Sequence, residues 1–229
     1  MIDKNKIKFW LYKLGMRETI PAQIINRVQI DDNKEDLINI REDQTLFFAD
    51  KIKDREKIFL RKTVYEKLKE AQNYLPNNYY FKIYSAFRSL EEQQKLWDIK
   101  YSLMHSRYLN LPEEEIIKKT RAVCADPRYG FGGHQTGGAI DISLCDKHGK
   151  DYQMGTQHSE NNDKTQTKSK NLSIIESKNR YILTSALTKV GFVNYPAEWW
   201  HFSYGDRLWA AYSNKDKCFY GLASLKGGR

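Results

Sequence analysis

Cysteine is scarce in this chain. Cys124, Cys145 and Cys218 are the only three, and no Cys-x-x-Cys pair occurs. An odd, sparse set argues against a disulfide framework and fits a reducing compartment, and the count alone excludes a four-cysteine structural zinc site. Long apolar runs are lacking too: nothing approaches the ~20 residues of a membrane span, and mean hydropathy is −0.73. The opening residues, MIDKNKIKFWLYKLGMRE, scatter charge throughout and contain no apolar stretch of the signal-peptide kind. A cytoplasmic protein without membrane attachment is the expectation. Internal repeats, arginine-rich blocks and nucleic-acid-binding motifs are missing as well. The net charge of +9, from 38 Lys+Arg against 29 Asp+Glu, is therefore read as a solubilising surface and not as a nucleic-acid footprint.

What is present supports one folded domain over 1–229. Hydrophobic content of 40% is enough for a core, and 15 tyrosines and five tryptophans suit the walls of a cleft as well as packing. The stretch RKTVYEKLKEAQNYLP sets Val64, Leu68, Ala71 and Leu75 at helical spacing, with Pro76 ending the run. YYFKIYSAF then alternates Tyr79, Phe81 and Ile83 against Tyr80, Lys82 and Tyr84, the period of a strand. Ser89 and Glu92 form a capping-box pattern that starts the next helix. Arg88 stands at that strand-to-helix junction, where it either projects into a cleft or neutralises Glu91 or Glu92 at the surface.

Further on, LPEEEIIKKTRAV opens a helix with acidic residues in its first turn. GAIDISL predicts a short strand with Asp141 near its start. Residues 157–170 are almost wholly polar and predict a loop. NRYILTSALTKVG predicts an amphipathic helix stopped by Gly191. In FVNYPAEWWHFSYGDRLWAAY a strand and a turn are legible, while the last element is not. Helices and short strands without regular alternation imply an α+β domain, its small sheet mostly antiparallel and flanked by helices.

Histidine is scarce as well. His105 lies in a polar helical run, and His148 and His158 lie in turn-like polar segments, where solvated side chains are expected. His134 differs, being set in GGHQTGGAID, which holds four of the 13 glycines and leads to Asp141. His201 differs too, sitting in AEWWHF with Glu198 three residues before it. Buried histidines and carboxylates need partners or a metal. Two histidines and a carboxylate suit a catalytic zinc with a position left open for water, and a free carboxylate nearby can act as base. The competing reading is a packed strand whose Glu198 and His201 are exposed.

GGHQTGGAID resembles the Ser-x-His-x-x-Gly-x-Ala-x-Asp motif of the zinc D-alanyl-D-alanine peptidases, and EWWH resembles their Glu-x-x-His motif in the same order. SAFRS stands where that family carries an arginine before a helix, and the Trp-Trp form and Met154-Gly155-Thr156 are most similar to its VanX-type dipeptidases. The resemblance covers Tyr79 to the C-terminus, leaving 1–78 as a helical or irregular scaffold before the motif-bearing core at 79–229.

It implies a Hedgehog/DD-peptidase-like zinc peptidase fold, one Zn2+ per chain held by His134, Asp141 and His201, Glu198 as the base for the metal-activated water, and Arg88 as the oxyanion stabiliser. The implied reaction is hydrolysis of D-Ala-D-Ala or a related small peptide, drawing on the cell-wall precursor pool or recovering D-alanine from peptidoglycan turnover. Trp199 or Trp200 is expected to line the pocket.

Two departures stand out. Gly132 replaces the motif's serine. Where the dipeptidases read Met-Gly-(Ser/Thr)-x-Phe-Asp, this chain reads MGTQHSE, so Ser159 takes the place of the aspartate that meets the substrate's amine. Glu160 is the candidate substitute, and no substrate-binding residue is otherwise assigned. The alternatives are a D,D-carboxypeptidase or endopeptidase acting on longer stem peptides, and a non-catalytic zinc-binding relative.

Overall fold

The alternation of YYFKIYS becomes a strand that buries Phe81 and Ile83 completely. The computed structural model, which describes residues 4–225 apart from Gly15 and Glu18, sets that strand inside a five-stranded sheet. In chain order the elements begin with α1 (Lys4–Lys13), α2 (Ala22–Ile25), β1 (Gln29–Ile30), β2 (Leu37–Asn39), β3 (Phe47–Phe48), α3 (Asp50–Lys53) and β4 (Phe59–Arg61). They continue with α4 (Lys62–Gln72), β5 (Tyr80–Ser85), α5 (Leu90–Arg107), α6 (Glu113–Arg121) and β6 (Ala139–Cys145). The last are α7 (Ile174–Lys189), β7 (Val193–Asn194), β8 (His201–Ser203), α8 (Arg207–Tyr212) and β9 (Lys217–Cys218). Among the described residues no helix is long and apolar enough to cross a membrane.

The main sheet has the order β3-β5-β6-β8-β7 and is antiparallel except for the β3–β5 pair. This is the α+β architecture expected. Strand β6 is buried at all seven positions, as a central strand covered on both faces must be. Ile140, Ile142 and Leu144 join Phe81, Ile83 and Phe202 on one face, where Val64 and Leu68 of α4 and Leu183 and Leu187 of α7 complete the core. The period of two then sends Asp141 and Ser143 to the opposite face.

Local signals fix the element ends. Ser89 accepts from Glu92 N while the Glu92 side chain accepts from Ser89 N, the reciprocal capping box that starts α5. Helix α7 starts at Ile174, earlier than its apolar pattern predicts, because Ser173 and Glu176 form a second capping box. The polar run 157–170 is a loop, and it is tied down. The buried Arg180 guanidinium donates to the carbonyls of Met154 (2.7 Å), Lys164 (2.7 Å) and Gln166 (2.5 Å).

A second buried arginine holds the histidine-bearing segment. Arg61, 4% exposed, donates to the carbonyls of Thr136 (2.7 Å), Gly221 (3.2 Å) and Glu35, and its backbone N–H donates to Gly137 O. Arg61→Met keeps the stem but leaves three carbonyls, those of Thr136 and Gly221 buried and that of Glu35 part-buried, without this donor. Since bonds to a charged group are worth about 1.5–3 kcal/mol each, the expected loss in unfolding free energy is at least about 3 kcal/mol, read from urea denaturation.

Candidate metal centre

The glycine-rich segment brings a histidine and an aspartate to one point. His134 sits in a single 3₁₀ turn, Gly133–Thr136, closed by Gly137 in the left-handed region (φ 73°). A side chain at Gly137 would be strained by that backbone and would meet Leu37 Cδ2 at 2.4 Å. A Cβ on Gly133 would lie 2.2 Å from Asp206 Oδ2. The turn is therefore packed too closely for any residue but glycine at these two places, and it delivers the chain straight into β6.

His201 arrives by strand register. In the β6–β8 pair Asp141 stands directly opposite His201, so both side chains leave the same face with Cβ atoms about 5 Å apart. The preceding turn is pinned by Asn194, whose side-chain amide donates to the carbonyls of Glu198 (3.2 Å), Trp199 (3.3 Å) and His201 (3.1 Å). On the other side of β6, the register of β5 shifts between Ile83 and Ser85, an irregularity of the kind that re-aims side chains beside functional sites.

The donor atoms of His134, Asp141 and His201 all lie within 4.8 Å of one another. Asp141 Oδ1 is 3.2 Å from His134 Nε2 and 3.0 Å from His201 Nδ1. Tetrahedral zinc with bonds of about 2.0–2.1 Å separates neighbouring donors by roughly 3.3 Å, close to what is seen.

Hydrogen-bond chemistry points the same way. His134 Nδ1 lies 2.8 Å from the Ala86 carbonyl, which only accepts, so Nδ1 carries the hydrogen. Nε2 of the neutral ring is then a bare acceptor facing a carboxylate oxygen. Two acceptors so placed need a cation between them. Burial pushes His134 toward the neutral form against the pull of Asp141. Burial would raise Asp141, yet the three surrounding histidines hold its carboxyl well below the usual range. The donor set fits a divalent metal.

Two further groups act on the centre. Burial lifts the Glu198 carboxyl above its ordinary pKa, against the opposing pull of His201. Arg88 is not engaged with Glu91 or Glu92: its guanidinium donates to Gln93 Oε1 (2.8 Å) and Ser85 Oγ (3.0 Å), and its backbone N–H donates to His134 O. Glu92 instead pairs with Arg55 at 2.9 Å. The charge on Arg88 reaches His134 and Glu198. The packed-strand reading with Glu198 and His201 exposed is overturned, since the His201 side chain is 12% exposed and Glu198 is partly buried.

His158 corrects the sequence reading. His105 and His148 are exposed as expected, but the His158 side chain is 6% exposed. Its ring stacks on Tyr84 (4.9 Å, 16°) and lies 5.3 Å from the Trp200 ring, and its Nε2 is 3.1 Å from Asp141 Oδ2. Nothing local signals this, because the aromatics that bury the ring come from distant strands and turns. Lys51, with Nζ 2.9 Å from His158 Nδ1, is equally silent in the sequence. Burial lowers the Lys51 ammonium to about 8.

Next to His158 opens a cavity of about 720 Å³ lined by Lys51, Tyr84, Asp151, Thr156 and Trp199 among others. Trp199 donates from its indole to Thr156 Oγ1 at 2.7 Å. Ser159 lies 2.8 Å from His158 Nδ1. Glu160 accepts from Gln157 N (2.9 Å) and Asn162 Nδ2 (3.0 Å), which closes its own turn.

Residues 42–220 match the family described as D-ala-D-ala dipeptidase. A D-alanyl-D-alanine dipeptidase of Escherichia coli (strain K12) is 28% identical over 125 residues, covering 52% of this chain and 52% of that protein. A D-alanyl-D-alanine dipeptidase of Synechocystis sp. is 28% identical over 153 residues, covering 56% of this chain and 60% of that protein. The chain thus spans between half and three-fifths of the length of these relatives. Among solved structures, VanYB in complex with D-alanine-D-alanine aligns with TM-score 0.46 at 13% identity, over 81% of this chain and 87% of that one. The LdcB LD-carboxypeptidase aligns with TM-score 0.48 at 20% identity, over 81% of each chain.

Proposed function

Because the chain belongs to the D-ala-D-ala dipeptidase family over residues 42–220, we propose that it hydrolyses the D-alanyl-D-alanine dipeptide, using one zinc ion per chain held by His134, Asp141 and His201. The convergence of those three donors near the partly buried Glu198 carboxylate carries the reading. When bound, zinc acidifies a water molecule and polarises the scissile carbonyl.

Glu198 is the general base. Its raised pKa makes the ionised carboxylate a stronger proton acceptor than a solvated glutamate. It takes a proton from the attacking water as the new C–O bond forms, and returns it to the leaving nitrogen as the C–N bond breaks, releasing two D-alanines. Arg88, held in place by Gln93 and Ser85, donates to the oxygen on which negative charge develops.

A second reading, D,D-carboxypeptidase action on longer stem peptides, draws on one observation. Ser159 stands in place of an acid that would meet a free amine, and the Glu160 carboxylate at the cavity edge already accepts from Gln157 N and Asn162 Nδ2. Release of D-alanine by the zinc-loaded protein from D-Ala-D-Ala, and not from a pentapeptide ending in D-Ala-D-Ala, is the expected outcome. Release from the pentapeptide alone transfers the assignment to the carboxypeptidase, and release from neither refutes both.

A further inference from the structure

The two oxygens of Asp141 have separate partners. Oδ1 faces His134 and His201, while Oδ2 faces His158 Nε2 at 3.1 Å. We propose that His158 is a positioning residue of the metal centre: its Nε2–H donates to Asp141 Oδ2 and thereby keeps Oδ1 turned toward His134 and His201. The inference rests on the metal-site reading above and adds to it a residue outside the ligand set.

The tautomer follows from the other ring nitrogen. His158 Nδ1 lies 2.9 Å from Lys51 Nζ, and an ammonium group only donates. Nδ1 must therefore accept, so the hydrogen of the neutral ring sits on Nε2, facing the carboxylate. The ring is fixed in that attitude by stacking on Tyr84 and by Trp200. His158 stands outside the set of donors that lie within 4.8 Å of one another, which separates it from the ligands. The dipeptidase pattern that this sequence resembles has phenylalanine at this place, a ring of similar shape without a donor. A hydrogen bond to a ligating carboxylate fixes its orientation, and loss of such a partner typically costs 10–100-fold in metal affinity.

Two variants of the full chain separate donation from packing: His158→Phe keeps the stacked ring without the donor, and His158→Gln keeps an N–H donor without the ring. Zinc affinity is measured by competition with a chromophoric chelator, and coordination is read from the visible spectrum of the cobalt(II)-loaded proteins. The expected result is zinc binding about 10–100-fold weaker in His158→Phe, largely restored in His158→Gln, with cobalt band intensities unchanged in both. Wild-type zinc affinity in His158→Phe overturns the inference while leaving the proposed function intact. Altered cobalt intensities overturn it differently, by making His158 a ligand. A wild-type protein that binds no zinc removes the centre itself, and the proposed function with it.

Discussion

Glu198→Gln is expected to keep its zinc and lose its turnover. The substitution preserves the shape of a partly buried side chain near Asp141 and His201 and removes only its capacity to accept a proton. General-base contributions run about 10²–10⁴-fold, so kcat for D-alanyl-D-alanine should fall by a factor in that range. Substrate affinity should change little, because the proton transfer belongs to the transition state. Steady-state kinetics on protein of verified zinc content make the comparison. A variant that turns over within a few-fold of wild type would remove Glu198 from its assigned role.

His201→Ala is expected to remove the metal, and with it all activity above background. Two donors remain, His134 Nε2 and Asp141 Oδ1, one fewer than a three-ligand catalytic zinc site uses. The effect should also appear as stability. A ligand that binds only the folded state at 100 times its dissociation constant adds about 2.7 kcal/mol to unfolding. That increment is expected for the wild type with zinc and absent from the variant. Without metal, His201→Ala should itself be less stable than wild type by about 1–3 kcal/mol, since Asp141 loses one of its buried partners. Urea unfolding with and without zinc gives both quantities.

The parts of the site that depend on neighbouring residues were legible in the sequence. The glycines around His134 announce a turn that only small residues can make, and Gly133 and Gly137 occupy positions where a Cβ has no room. Ser89 and Glu92 announce the cap of α5. The parts that depend on distant residues were not legible. That Asp141 faces His201 is a matter of register between strands 60 residues apart, which periodicity cannot supply; the motif resemblance supplied it instead.

His158 shows the limit most clearly. It lies in a polar run, and its burial depends on Tyr84 and Trp200, 74 and 42 positions away in the sequence. The start of α7 was obscured for a different reason. Ile174 and Ile175 are 88% and 59% exposed, so apolar residues at the helix start do not mark a buried face. Helix α8, capped by Asp206 and six residues long, is too short for periodicity to reveal.

One metal ion is expected among His134, Asp141 and His201. A zinc-edge anomalous difference map from a crystal of the zinc-loaded protein tests it most directly. The expected result is a single strong peak within about 2.0–2.2 Å of His134 Nε2, Asp141 Oδ1 and His201 Nδ1. A map with no peak at those atoms, or with its strong peak on other donors, would contradict it.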